Sequence, residues 1–406
     1  MKYRKEALIH PVDCFDQSTI LERKNKLGLT NEARMELFIW DLEIFCQIYK
    51  RLGNRVLLKG GAAAQLFFPI EMQRTSIDID MICSAGEREI NACLGDIERE
   101  FKGERNLLKF QFHKPKKAKT ELPLLTFFLT IPSEIVKGDG EKGTQEIKVE
   151  FFLNNMNWPS KQFKNPQVFA METNQTYRAL SLEAMIADKL TTLGPNTVGI
   201  PDERRDEICK QIYDLDGLLH FPNEGKHNIA EVKALYLKRA KLECESRRKP
   251  FNLNEITEDV MEWLRSLFSI DFAGNLLLEK DINDFQSLYL RRAINRGKWQ
   301  WAAIGEKLQF YLINLYADVP LKIVWKRALD IERSLSFNEL HGRERGELIR
   351  EFKESFSEVF EKYSVFPKGM LKGKNPVRQM WHVINPGNIS EIKDWIMEFR
   401  NKYIKS

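Results

Sequence analysis

Apolar residues return along this chain with two different periods, and the change from one to the other divides it. From Asn31 to about Leu52 they recur every three to four residues, the spacing of a helix with a buried face. Val56-Leu57-Leu58 is a short continuous apolar run ending in Lys59-Gly60-Gly61, a strand that enters a turn. Ala62 to Phe68 reads as a short helix. Beyond Pro69, Ile77-Asp78-Ile79-Asp80-Met81-Ile82 alternates with period two, as a half-buried strand does. Glu87 to Phe101 is helical again and is closed by Gly103. Two β-rich runs follow, Leu107 to Phe112 and Leu124 to Ile131, and the basic turn Lys114-Pro115-Lys116-Lys117-Ala118-Lys119 between them predicts an antiparallel hairpin. A charged, Gly-containing loop from Lys137 to Thr144 leads into a third strand, Ile147 to Leu153. From about residue 178 the pattern is helical almost throughout, with helices expected at Ser181 to Leu193, Glu203 to Leu219, 275–294, 297–316 and 344–362. Breaks fall near Phe221 to Gly225 and Arg247 to Pro250.

The expected architecture is α+β, with a mixed sheet confined to roughly residues 55–155 and a large helical region after it. A division into a helical lead-in (1–54), a sheet core (55–175), a helical domain beside it (176–250) and a C-terminal helical domain (251–406) follows, in keeping with a chain of 406 residues. A hydrophobic content of 43% supports an ordered core, and a net charge of +5 is compatible with a nucleic-acid partner only if the positive charge is clustered. The six cysteines form no C-x-x-C pair and read as free thiols of a reducing compartment. With no apolar run behind the N-terminus and no stretch of membrane-spanning length, a cytoplasmic protein is expected.

Candidate chemistry gathers at the first turn. Backbone N–H groups at a helix start are unpaired and carry partial positive charge, so Lys59-Gly60-Gly61 suits a triphosphate. In the strand beyond, Asp78 and Asp80 share a face while Ile77 and Ile79 point to the core; two carboxylates beside a phosphate turn make a divalent-metal site. A lone D-x-D usually marks a solvated strand face and Gly-Gly alone marks a turn. Their order and spacing, with Ser76 just before the first carboxylate, favour function. Glu150, in Lys148-Val149-Glu150, is the candidate third carboxylate on a neighbouring strand, with an exposed Lys148–Glu150 salt bridge as the alternative. Lys189 could reach a triphosphate and neutralise a leaving pyrophosphate, although most helical lysines are solvated. Asp206, Lys210 and Asp214 stand at i,i+4 spacing and, on spacing alone, read as a salt-bridge ladder.

Taken in order, Lys59-Gly60-Gly61, Arg74-x-Ser76-x-Asp78-x-Asp80, Val149-Glu150, Asp188-Lys189 and Lys210-Gln211-Ile212-Tyr213-Asp214-Leu215 resemble the AbiEii/AbiGii toxin family, nucleotidyltransferases of bacterial toxin–antitoxin and phage-defence systems. The resemblance covers roughly residues 40–220, and no family motif is matched beyond 250. It implies a polymerase-β-like nucleotidyltransferase core followed by a helical domain that completes the active site. It also implies two Mg2+ ions, an NTP substrate bound through Lys59, Gly60, Gly61, Ser76 and Lys189, and a cognate antitoxin. Asp78 and Asp80 match the metal pair, Lys189 a lysine of nucleotide binding and catalysis, and Asp214 a carboxylate that activity requires. Ser76 matches a serine that binds nucleotide and that a kinase-like antitoxin phosphorylates in one branch; a phosphate there would repel metal and triphosphate. Gly-Gly replaces the usual Gly-Ser, and Gln211 stands where the last motif commonly has Asp.

Known activities of the family add nucleotides to tRNA ends and stop translation, so RNA, tRNA first, is the implied acceptor. The best basic patch for it is Lys114, Lys116, Lys117 and Lys119; Arg247 to Lys249 and Arg291 to Lys298, beside Trp299 and Trp301, are further candidates. Solvated charged faces are the plain alternative for each. Transfer to a protein or small-molecule hydroxyl, and a catalytically dead nucleic-acid-binding or interaction protein, are the rival readings.

Overall fold

The computed structural model describes residues 3–102, 111–114, 123–137, 142–317, 320–337, 340–364 and 374–404. Its sheet contains β1 (Val56–Lys59), β2 (Asp78–Cys83), β3 (Gln111–His113), β4 (Leu124–Lys137), β5 (Lys142–Leu153), β6 (Ser160–Lys164) and β7 (Thr176–Leu180), ordered β3-β4-β5-β2-β1-β7-β6. The sheet is mixed: β2 runs parallel to β5 and β1 parallel to β7, while the remaining neighbours are antiparallel. With the helices around it, this is the expected α+β architecture. The sheet does not stop near residue 155, however. β6 and β7 extend it to Leu180, and β7 lies beside β1. Period alone hides both: β6 is a lysine-bearing edge with one half-buried residue, and β7 is too short to alternate clearly.

Four helices belong to the first half: α1 (Gln17–Leu27), α2 (Glu32–Leu52), α3 (Gly60–Gln65) and α4 (Glu87–Lys102). Asn31 caps α2 by accepting from the Arg34 N–H, and α2 is then buried without interruption from Met35 to Ile48. Three acids in that buried run need partners. Glu36 accepts from the Ser133 hydroxyl at 2.6 Å, and Glu43 accepts from the Ile9 N–H and faces His10 Nδ1 at 2.6 Å. Asp41 has no hydrogen-bond partner for either carboxylate oxygen among the described residues.

The rest is helical: α5 (Leu182–Thr191), α6 (Ile208–His220), α7 (Ile229–Ser246), α8 (Leu253–Phe268), α9 (Leu276–Tyr289), α10 (Lys298–Tyr316), α11 (Leu321–Ser334), α12 (Gly342–Ser355), α13 (Ser357–Tyr363), α14 (Pro376–Val383) and α15 (Ile389–Tyr403). The helix expected from Glu203 begins only at Ile208, after 3-10 turns over Asp202–Glu207. The segment 344–362 is two helices that meet at Phe356. The helix expected over 275–294 ends at Tyr289, and the chain then turns back onto the core. Tyr289 O accepts from the Thr75 N–H, Arg291 bridges Leu29, and Arg291 Nε donates to Leu27 O. The later helices are thereby fastened directly behind the Arg74–Ser76 segment. No helix among the described residues is long and apolar enough to cross a membrane.

Candidate active site

The site is built from the end of β1 outward. Lys59 pairs with Asp80 across the antiparallel β1–β2 ladder, so the turn after Lys59 arrives beside the Asp80 carboxylate. Gly60 takes φ +73, and a Cβ there would stand 2.2 Å from Asp80 Oδ2. Only glycine satisfies both the left-handed backbone and that approach. A Cβ on Gly61 would stand 2.8 Å from Arg74 Nη2 and 3.0 Å from Ser76 Oγ. The two glycines therefore mark the line where the carboxylates, the serine and the arginine meet.

On one side of that line, β2 and β5 bring their polar faces together. Asp78 is paired with Lys148 and Asp80 with Glu150, so all four side chains leave one face of the sheet. Asp78 and Asp80 are half-buried, and neither accepts a hydrogen bond among the described residues. Burial raises the pKa of Asp78, with Asp80 adding to it and Lys148 opposing. Burial also raises Glu150, and Asp80 pushes the same way. Glu150 is held at 3.0 Å by Lys148 Nζ and at 3.1 Å by the Thr126 hydroxyl, so the salt bridge of the alternative reading is present, although half-buried. Among the described residues no group of three or more His, Cys, Asp or Glu side chains converges to hold an ion. Asp78 and Asp80 are nevertheless two adjacent, partly desolvated carboxylates without donors, which is the donor set a divalent cation takes.

On the other side lies a closed knot. Arg74 Nε and Nη2 donate to Asp214 Oδ1 and Oδ2 at 2.8 and 2.6 Å. Lys189 Nζ donates to Asp214 Oδ2 at 2.8 Å and to Gln211 Oε1 at 2.6 Å. Gln65 accepts from the Arg74 N–H at 2.8 Å and donates to Gly61 O at 2.9 Å, tying the knot to the turn. Asp214, Lys189 and Arg74 are 0%, 1% and 2% exposed, so none of the three opens onto solvent. Burial alone would raise Asp214, but the charges of Arg74 and Lys189 outweigh it and hold the carboxyl below its usual range. Burial pushes the Lys189 ammonium down, and the Arg74 charge adds to this against Asp214. Two cations and one anion leave the knot with net positive charge beside Gly61.

The salt-bridge ladder expected along α6 is not formed. Asp214 turns inward to Arg74 and Lys189, while Lys210 Nζ lies 5.1 Å from the Tyr289 ring centroid. Lys210 nonetheless lowers Asp78 electrostatically, and Arg204 feels both Glu150 and Asp78, so the start of α6 faces the carboxylates. Lys59 bonds Asp188 at 3.4 Å, and Arg239 holds the other oxygen of Asp188 at 3.2 Å. The structure thus gathers Lys59, Gly60, Gly61, Ser76, Asp78, Asp80, Glu150, Lys189 and Asp214 into one region.

Among the described residues, the basic patches are not brought to it. Lys114 pairs with Glu87, and Lys116, Lys117 and Lys119 lie outside the described residues. Arg247 and Lys249 donate to carbonyls of the 196–199 loop, Arg291 to Leu27 O and Ile70 O, and Arg296 pairs with Asp216. These cations are used to hold the fold. Trp301 is buried against Phe285, a packing residue. Sequence reasoning missed the part played by Arg74, Lys148, Gln65 and Asp41. Asp41 is the clearest omission: burial pushes its carboxyl well above the carboxylate range, with the charges of Asp78 and Asp80 adding. A lone acid in the apolar run Phe38-Ile39-Trp40-Asp41-Leu42 is the signal that was there to read.

A strand, a glycine turn and a second strand that set two same-face carboxylates against the turn define the class as nucleotidyltransferase. Residues 47–299 match the family described as nucleotidyl transferase AbiEii toxin, type IV toxin–antitoxin system, and the chain belongs to that family. The match runs well past the motifs legible in the sequence and takes in α9, whose end is docked behind Arg74–Ser76. No curated protein matches the chain. Among solved structures it is similar to the nucleotidyltransferase toxin MenT4 of Mycobacterium tuberculosis H37Rv, with 16% identity, 76% of this chain and 93% of that chain covered, and a TM-score of 0.46. It is also similar to a proposed nucleotidyltransferase of H. pylori, with 13% identity, 70% and 99% coverage, and a TM-score of 0.37.

Proposed function

We propose that this nucleotidyltransferase transfers NMP from an NTP to an RNA, tRNA being the first acceptor to test, in a Mg2+-dependent reaction that blocks translation and is restrained by a cognate antitoxin. The observation that carries the reading is the donorless pair Asp78 and Asp80 on one strand face, with Asp80 pressed against Gly60. These two carboxylates would hold the metal, with Glu150 as the third ligand once Lys148 and Thr126 release it. Bound there, a divalent ion supplies charge neutralisation for the phosphates and an acidified acceptor hydroxyl.

The chain's own groups do the rest. Gly60 and Gly61 let backbone approach the triphosphate, and the Ser76 hydroxyl, facing Gly61, supplies a donor beside it. Lys189 and Arg74 place positive charge behind the turn, where negative charge builds on the departing pyrophosphate. Asp214 acts through them as a positioning residue, since both of its oxygens are already engaged. Phosphate on Ser76 would occupy the space over Gly61 and repel Asp78 and Asp80, an off-switch available to a kinase-like antitoxin.

A cytoplasmic location and a role in phage defence belong to the same proposal, as does the four-part division at residues 54, 175 and 250. The test is incubation with each labelled NTP, magnesium and total RNA, beside Asp78→Ala. Label in a tRNA-sized band that the variant loses supports the reading. Label on protein alone moves the acceptor to a protein hydroxyl, and label retained by Asp78→Ala overturns the site.

A further inference from the structure

Behind α3 the molecule carries a second feature that the site above does not use. The six residues of α3 lead from Gly60 to Leu66, and the chain then opens a groove of about 650 Å³ between the segment Leu66–Pro69, strand β6 and the start of the loop after α6. Its walls are aromatic and basic. Phe67 and Phe163 meet edge to face at 4.9 Å, Phe221 stands against Phe68, and Lys161 Nζ lies 4.8 Å from the Phe163 ring and 5.4 Å from the Phe67 ring. Lys161 and Lys164 are exposed, and among the described residues they make no ion pair and no acidic side chain lines the groove.

The floor is rigid. Gln73, fully buried, donates to Phe68 O at 3.1 Å and Gln167 O at 2.8 Å, and accepts from the Phe169 N–H at 2.9 Å. Gly217 of α6 lies so close beneath Phe68 that a Cβ would stand 2.7 Å from the ring. Half-exposed aromatic rings on a fixed floor, flanked by unpaired lysines, are a stacking platform with a backbone clamp. A groove without carboxylates is also complementary to a polyanion. A six-residue helix is roughly 9 Å long, so the groove lies a few nucleotides from Gly60.

We propose that this groove seats single-stranded RNA, with bases displacing the Lys161 ammonium from the Phe163 and Phe67 faces and the phosphates taken by Lys161 and Lys164. It would hold the strand whose end is presented to Asp78 and Asp80, and in that respect it rests on the function proposed above. The competing occupant is a partner protein that adds a strand to β6, the last strand of the sheet. Base stacking on two rings together with free lysines favours the nucleic acid.

The test is fluorescence anisotropy of a labelled single-stranded oligoadenylate RNA, titrated with the full chain across a salt series without NTP or divalent metal. Lys161→Glu combined with Lys164→Glu should weaken binding and flatten the slope of log K against log salt by about 1.4, two contacts at about 0.7 each. Phe163→Ala should weaken binding about tenfold with the slope unchanged, since stacking carries no counterion. Oligonucleotide binding that neither groove variant alters overturns the proposal, as does loss of binding to a partner protein with RNA affinity intact. Groove-dependent binding without transfer from any NTP keeps the groove and removes the proposed reaction. Transfer to RNA that survives the lysine reversal keeps the reaction and removes the groove.

Discussion

The two sides of the Gly60-Gly61 turn hold charge in opposite ways. Toward β2 and β5, Asp78 and Asp80 are half-buried, like-charged and without donors. Toward α5 and α6, Asp214 is fully buried and every oxygen is engaged by Arg74 or Lys189. A satisfied buried network fixes geometry, whereas an unsatisfied carboxylate pair is held at a cost that a ligand can recover. In the proposed function, this difference separates the side that meets a ligand from the side that positions it.

Replacement on the open side should give the largest effect on turnover and the smallest on folding. Asp78→Asn is expected to lower nucleotidyl transfer by about 10³-fold or more, measured as label incorporated per minute, while leaving the unfolding midpoint unchanged or slightly raised. Removing one of two repelling carboxylates relieves a burial and repulsion that Lys148 and Lys210 offset only in part.

The closed side should behave in reverse. Asp214→Asn leaves Arg74 and Lys189 as buried, under-paired cations, and breaking such a pair costs about 3–5 kcal/mol. Urea unfolding would measure this, and transfer should fall with it because the positive charge behind Gly61 loses its position.

Acid should sharpen the contrast by separating two pH windows. His227 is buried against the Tyr311 hydroxyl at 2.7 Å, and burial lowers its pKa to about 4. A histidine with a depressed folded pKa stays neutral in the fold while the unfolded chain takes up a proton. Its contribution is intact above the ordinary value of 6.5 and is lost as pH falls toward 4, by roughly 3 kcal/mol. Asp214 and Asp188, both lowered, keep their contribution until pH drops below the ordinary aspartate value of 3.8. Denaturant midpoints between pH 7 and pH 4 should decline, and His227→Gln should flatten that decline without moving the steeper loss below it.

A smaller loss of folding stability than at Asp214 is expected at the turn itself. Gly60→Ala meets both the left-handed backbone and Asp80 Oδ2, and the backbone cost alone is about 1–2 kcal/mol. Thermal unfolding should register that shift, and nucleotide-dependent stabilisation should fall with displacement of Asp80.

The open side was largely legible in the residue pattern, and the closed side only through the family resemblance that named Lys189 and Asp214. Alternation in Ile77–Ile82 places Asp78 and Asp80 on one face whatever the rest of the chain does, because a strand's period is local. Glu150 was within reach for the same reason, and its register opposite Asp80 follows once β5 runs parallel to β2. Asp214 obeys no such rule. Its i,i+4 neighbours suggested a surface ladder, but its partners are Arg74 and Lys189, 140 and 25 residues away. Long-range pairing leaves no period. Strands β6 and β7 were missed for a related reason, since each is specified by a neighbour rather than by its own pattern. The docking of Tyr289 and Arg291 behind Arg74–Ser76 was likewise invisible, because each contact ends on a main-chain carbonyl that any sequence possesses.

The division of labour is tested most directly by thermal unfolding of wild type, Asp78→Asn and Asp214→Asn, each with and without NTP and magnesium. Ligand that binds the folded state raises its midpoint by mass action. Wild type should shift upward with ligand, Asp78→Asn should keep the wild-type baseline and lose the shift, and Asp214→Asn should start from a clearly lower baseline. An Asp78→Asn protein that still shifts like wild type, or an Asp214→Asn protein with an unchanged baseline, would contradict the account.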